Sequence, residues 1–432
     1  MKKFMLAFCV LVSLSTSLFA IDMSREIDAA AAKIMPKVVE WRRYLHQHPE
    51  LSNREVNTAK FVADELRKLG IEVRTGIAKT GVVGILKGGS PGPVVGLRAD
   101  MDALPVTERN SLPFASKETA EFNGQKVGVM HACGHDSHVA MLLGAATVLS
   151  GMKDKVKGTV VFIFQPAEEG PPAGETGGAP DMVKEGVMDN PKIDAIFGIH
   201  INAQTEIGKI GYKAEGFMAA SDWVTIKING KQSHGAYPWN GVDPIAVAAQ
   251  IYTGLQMVVS RESDLTRSPV VITIGRINGG VRENIIPESL TMSGTIRTLD
   301  ADVRKTVFEK VRVTATKIAE SMGATADVTF DPKTPITYND PALVGRTLLS
   351  LEKAAGKGNV LLQRWVTGAE DFAFYGTKAP AFFFYVGGMP KGKDPATTAD
   401  HHTPDFYIDD SRLDVGVKAF ANIVFDYASP SL

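Results

Sequence analysis

The chain predicts an α/β protein, a layered domain on a largely parallel or mixed sheet, interrupted by a smaller inserted domain. Three patterns lead there. Apolar residues recur at helical spacing near the start, short unbroken apolar runs then alternate with helical stretches, and from about residue 214 the order becomes β-α-β-β-α-β. Residues 27–46 and 53–69 predict amphipathic helices, and Gly70 stops the second. Residues 82–87, 94–99, 160–164 and 195–200 predict strands, each continuously apolar as a strand covered on both faces must be. A helix is predicted over 137–149.

In the middle of the chain, 223–228 predicts a strand, 243–261 a helix, 270–276 and 290–298 strands, 302–322 an amphipathic helix and 326–330 a last strand. That is a ferredoxin-like unit able to bury its own core. Helix and strand signals resume at 341–355, 360–363 and 381–386, and a helix from Ser411 closes the chain. The predicted organisation is a discontinuous α/β domain, 21–213 with 332–432, around an insertion at 214–331.

Residues 1–20 carry Lys2 and Lys3, an apolar run and a serine-broken stretch, the layout of a cleavable signal peptide. The run is too short for a stable membrane anchor. A secreted or periplasmic protein is expected. Of the two cysteines, Cys9 would leave with the signal, so Cys133 has no intrachain partner. A lone thiol in an oxidising compartment is expected to be buried or bound to something. Lysine plus arginine number 47 and aspartate plus glutamate 48, which leaves no basic field for nucleic acid and suits a small-molecule partner.

Polar clusters stand where apolar strands end: Asp100 and Asp102, Glu168 and Glu169, and His200. The carboxyl ends of strands in open α/β sheets are where ligands bind. Two more clusters hold His131, Cys133, His135, Asp136 and His138, and His401, His402 and Asp405. Six of the nine histidines fall in these clusters, and thiolate, imidazole and carboxylate together are ligand types for Zn²⁺ or Mn²⁺. Adjacent glutamates allow one to bind metal while the other moves protons. The stretch from Gly88 to Gly92 has the spacing of a nucleophile elbow, but Pro91 and the flanking strands predict a hairpin turn. The Gly- and Pro-rich stretch 170–178 predicts an exposed loop.

The ordered motifs R-R-Y-L-H-Q-H-P-E-L-S (42–52), G-L-R-A-D-M-D-A-L-P (96–105), M-H-A-C-G-H-D-S-H (130–138), Q-P-A-E-E-G (165–170), G-I-H (198–200), S-H-G-A-Y-P (233–238) and G-A-E-D-F (368–372) make the chain resemble the di-metal aminoacylase and carboxypeptidase superfamily. The likeness is to its amidohydrolase branch, which includes hippurate hydrolases, N-acyl-amino-acid amidohydrolases and indole-acetyl-amino-acid hydrolases. It implies a di-metal exopeptidase-like catalytic domain with an inserted lid that also forms a homodimer. It implies two divalent cations, Zn or Mn, held by Cys133, His135, Glu169, His200 and His402, with Glu168 as general base and Asp102 orienting ligands. Asp100 and His401 have no settled role. His234 is expected to reach the partner subunit's site, and Asn284 and Arg297 to hold the substrate. The implied reaction is hydrolysis of the amide of an N-acyl-L-amino acid; a metallo-exopeptidase and a non-catalytic metal-binding protein are the alternatives.

Overall fold

The computed structural model describes residues 22–429. The expected signal peptide, residues 1–20, lies outside them. An eight-stranded mixed sheet runs in the order Glu72–Ile77, Gly81–Lys87, Lys157–Gln165, Ser90–Asp100, Ala195–Glu206, Ala381–Met389, Ile210–Tyr212, Val360–Leu362. From Lys157–Gln165 to Ala381–Met389 the neighbours are parallel. Alternate side chains enter two apolar layers. Val160, Phe162 and Phe164 join the core built by helices Ser24–Gln47, His135–Gly151 and Asp414–Tyr427. Val161 and Ile163 join Ala179 and Met182 of helix Gly178–Lys184, with Phe372 and Tyr375 beyond. Unbroken apolar strands are the consequence of covering both faces.

Helix His135–Gly151 is central and buried nearly all round. A Cβ on its Gly144 would lie 2.7 Å from Val417 and 2.9 Å from Val38, so that glycine lets the neighbouring helices close in. The helix begins at His135, ahead of the expected residue 137, and this brings the histidine onto a rigid element.

Several expectations are corrected. The turn at Gly88–Gly89 is a crossover and not a hairpin, because Gly81–Lys87 and Ser90–Asp100 flank Lys157–Gln165 on opposite sides. The chain passes so close there that a Cβ on Gly88 would fall 2.2 Å from the Val156 carbonyl oxygen. The second helix starts at Val56 and not at 53, since Asn53 takes a left-handed φ of 62°. Strand Ala195–Glu206 continues past residue 200 because it keeps pairing with Ala381–Met389, so His200 sits within the strand. Strand Glu72–Ile77 and the hairpin of Thr119–Phe122 with Gln125–Gly128 are half-exposed and carry no apolar run, which is why no signal marks them.

The second sheet runs Val270–Gly279, Ser289–Thr298, Ala220–Asn229, Thr325–Thr334, antiparallel throughout. Helices Pro244–Glu262 and Ala301–Ser321 contribute Ile251, Leu255, Val311 and Ala315 to a core with Ile226, Met292 and Ile296, separate from that of the main sheet. This is the ferredoxin-like strand order, and its last strand runs to Thr334. The two chain crossings between the sheets lie side by side, Glu215–Met218 pairing with Thr337–Asn339. No helix among the described residues is long and apolar enough to cross a membrane.

Candidate metal centre

The turns leaving the central strands converge at one edge of the main sheet. Three backbone features aim their side chains. Gly134, with φ 92°, separates Cys133 from His135, and a Cβ there would meet Ile201 at 2.4 Å. Ala167 and His402 take left-handed φ values of 51° and 64°, unusual for residues with a Cβ. The Ala167 N–H donates to the buried Glu55 carboxylate at 2.9 Å, and the His402 N–H donates to the Ala132 carbonyl at 2.8 Å.

Cys133 Sγ lies 3.3 Å from His200 Nε2 and 3.3 Å from His402 Nε2. His402 Nε2 is 3.0 Å from Glu169 Oε1, which makes no hydrogen bond. His200 is oriented by its Nδ1–H, donated to the Ile201 carbonyl at 2.5 Å, and His135 by its Nδ1–H, donated to the Asp102 carbonyl at 2.8 Å. Anchoring one ring nitrogen leaves the other free as a metal ligand. His135 Nε2 is buried, unbonded, and 3.8, 3.9 and 4.0 Å from carboxylate oxygens of Asp100, Glu168 and Glu169. Two sets of donor atoms close enough to share an ion meet at Glu169: Cys133, Glu169 and His402, and His135, Glu168 and Glu169. Orphaned nitrogen, thiol and carboxylates facing one space fit divalent cations.

Electrostatics agree with that fit. Burial and then the carboxylates of Glu370, Glu169 and Asp371 hold Glu168 well above the usual range. Burial raises the Cys133 thiol, and Glu169 and Glu168 raise it further. Burial opposes a charge on His135, yet Asp100 and Asp102 outweigh it and lift its pKa to about 10. This cluster draws in positive charge, and a cation reverses the balance for thiol and carboxylate alike.

Asp102 accepts the N–H groups of Glu168 and Glu169, each at 3.0 Å, and the Ser52 hydroxyl at 2.7 Å, so it holds the glutamate turn as well as His135. Asp100 is committed to Arg98 at 2.7 Å and to His138 Nδ1 at 2.5 Å. His401 accepts from Ala203 N–H at 3.1 Å through Nε2, while its Nδ1 lies 3.2 Å from the Cys133 carbonyl and 3.7 Å from the Cys133 thiol, so Cys133, His200 and His401 form a further donor set close enough to share an ion.

A cleft of about 560 Å³ opens from Cys133, Glu168, His200 and His402 toward the second sheet, where Arg297 lines its other wall. Arg297 is half-buried and makes no ion pair among the described residues; burial lowers its pKa. Its cross-strand neighbour Ser221, paired in turn with Thr334, lines the same wall. His234 and Asn284 do not line it. They lie on two exposed segments that pair with each other, His234 opposite Ile285, and the Gly235 N–H donates to the Asn284 carbonyl at 2.8 Å.

Arg98, His138, Glu370, Asp371 and Glu55 carry no role in the sequence expectations and surround the centre in the structure. Arg98 is fully buried and bridges Asp100, Glu370 and Asp371. Its signal was a lone cation inside an apolar strand. His138 follows His135 by three residues on the same helix, hence on the same face, and accepts from the Ile201 N–H at 2.7 Å. Glu55 had no sequence signal, because its role depends on the strained Ala167 turn.

Comparison with known proteins agrees with this geometry. Residues 96–426 match the pattern of peptidase family M20/M25/M40. The chain belongs to that family. It is similar to thermostable carboxypeptidase 2 of Saccharolobus solfataricus, 38% identical with 94% of this chain and 100% of the relative covered. An N-acetyl-L-cysteine deacetylase of Bacillus subtilis is 39% identical, covering 86% of this chain and 83% of the relative. A crystal structure from Bacillus subtilis described as a dinuclear metal-binding peptidase of the M20 family superposes with a TM-score of 0.77 at 36% identity, covering 91% of this chain and 98% of the other. This M20 chain is a hydrolase of mixed α/β fold.

Proposed function

We propose that this M20 hydrolase is a metal-dependent amidohydrolase that cleaves the N-acyl amide of N-acyl-L-amino acids, releasing a carboxylic acid and a free amino acid. The observation that carries the reading is one cleft lined by Glu168, by thiol, imidazole and carboxylate donors close enough to share an ion, and by a guanidinium with no ion pair among the described residues. Cys133, His135, Glu169, His200 and His402 would hold two divalent cations, Zn or Mn. Bound there, such cations supply Lewis-acid polarisation of a carbonyl and lower the pKa of water.

The chain's own residues account for the rest. Glu168 accepts the proton of the attacking water and returns it to the leaving amine nitrogen. Asp102 and Ser52 keep Glu168 and Glu169 in register through the backbone. Arg297 takes the α-carboxylate in its planar fork, and its half-burial strengthens that pair. His234 and Asn284 lie together outside their own cleft, which favours a homodimer in which a second copy brings them to the site. The signal-like first 20 residues support export to the periplasm or exterior.

The similarity to a protein named a carboxypeptidase supports exopeptidase action as the second reading. Amine release from residues 21–432 tests both, using N-acetyl, N-benzoyl and indole-acetyl amino acids beside unblocked dipeptides, with Zn²⁺, Mn²⁺ or chelator. Chelator-sensitive release from the blocked substrates is expected. Release from dipeptides alone moves the assignment to peptidase, and silence across the panel refutes both. Light scattering at working concentration is expected to give the mass of two chains; a monomer removes His234 from the reaction.

A further inference from the structure

A second cavity of about 310 Å³ abuts the candidate metal centre. It shares only Glu169 and Gly170 with the cleft that holds Arg297. Its apolar walls are Leu51, Ala103, Leu104, Pro105, Phe122 and Pro172, and Ser52, Arg54, Glu121 and Asn123 complete the lining with the two shared residues. Phe122 comes from the hairpin of Thr119–Phe122 with Gln125–Gly128 and packs on the small cluster of Leu51, Ala103 and Val129.

We propose that this cavity is the acyl-group subsite, and that it selects a neutral aryl acyl group. The inference rests on the amidohydrolase reading. With the α-carboxylate on Arg297 and the scissile carbonyl beside Glu169, the acyl portion runs past Glu169 and Gly170, the one wall the two cavities share. Two of the polar groups around it are already engaged, and Asn123 stands exposed at the rim. Arg54 is paired with Glu175 at 2.6 Å, and the Ser52 hydroxyl is donated to Asp102 at 2.7 Å. Glu121 stands exposed at the rim and makes no ion pair among the described residues, so it repels an anionic acyl chain. The volume is about twice the roughly 150 Å³ of an apolar cavity that holds benzene, so a one- or two-ring acyl group fits while acetyl leaves most of the space unfilled.

The test uses the metal-loaded protein and three substrates sharing one amino acid: N-acetyl, N-benzoyl and N-succinyl. Wild type is expected to favour benzoyl over acetyl in kcat/KM by about tenfold or more, with succinyl the poorest. Leu104→Trp fills the cavity and is expected to lower the benzoyl-to-acetyl ratio at least about tenfold. Phe122→Ala removes an aromatic wall from the half-exposed hairpin and lowers the ratio in the same direction. Benzoate titrated by calorimetry gives a readout apart from turnover, with binding about tenfold weaker in Leu104→Trp expected. A ratio unchanged in both variants, or equal benzoate affinity in folded Leu104→Trp, overturns the subsite. Failure of the amidohydrolase reading looks different: wild type releases amine from none of the three acyl substrates while cleaving dipeptides, and the acyl role falls with it.

Discussion

Replacing Asp102 with asparagine tests how the centre is held. One buried carboxylate accepts the N–H groups of Glu168 and Glu169 at 3.0 Å and the Ser52 hydroxyl at 2.7 Å, and its Oδ1 lies 3.3 Å from His135 Nδ1. Asparagine keeps one oxygen and turns an NH₂ group toward one of these donors. A hydrogen bond to a charged acceptor contributes about 1.5–3 kcal/mol, and a buried donor left unpaired costs about 1–3 kcal/mol. The expected loss in unfolding free energy is about 2–4 kcal/mol. Because the loosened turn carries both glutamates, metal affinity or activity should fall about 10–100-fold. Urea unfolding of the wild type and Asp102→Asn measures the first quantity, and chelator competition with kcat/KM measures the second. An asparagine variant within about 0.5 kcal/mol of wild-type stability, with metal affinity unaltered, would refute the claim that Asp102 holds the glutamate turn.

Glu168→Gln should lower kcat by about 10²–10⁴-fold while elemental analysis finds the metal content of wild type; a kcat within tenfold would assign the base elsewhere. Arg297→Lys loses the two-pronged carboxylate contact and should raise KM about tenfold with kcat largely kept; an unaltered KM would place the α-carboxylate elsewhere. Hydrogen bonds from Arg54, Lys79 and Asn53 hold Glu175 below the usual carboxylate range. A depressed folded-state pKa stabilises above the unfolded value of about 4.3 and is lost as pH falls through the folded value. Hydrogen-exchange protection in residues 170–178, the rate relative to that of an unstructured chain at the same pH, should therefore be kept at pH 5 and fall below about pH 4, and protection that does not change with pH would show that Glu175 does not anchor the loop.

The loop 170–178 shows how far composition reaches. Its glycines and prolines predict exposure, and residues 170, 171, 173, 174 and 176 are exposed. Gly177 and Gly178 are buried instead, packed against Asn53 and Asp371, contacts that come from segments remote in sequence. The same holds for the strands. Gly81–Lys87 and Lys157–Gln165 were legible because both faces are apolar, whereas Glu72–Ile77 is an edge strand with an exposed face and leaves no pattern.

Residue types and periodicity marked the β-α-β-β-α-β order and the thiol, imidazole and carboxylate clusters at the strand ends, because side-chain chemistry and strand periodicity are local properties; which of those residues would hold metal came only from the family resemblance. The division of labour needed the tertiary structure. Only the fold shows that His401 has its two nitrogens on the Ala203 N–H and the Cys133 residue while His402 faces Glu169, and that Asp100 answers to Arg98 and His138. Only the fold sets Glu169 between two cavities. The physical reason is that a side chain's role depends on which of its atoms remain unpaired, and pairing is decided by neighbours that sequence distance does not reveal.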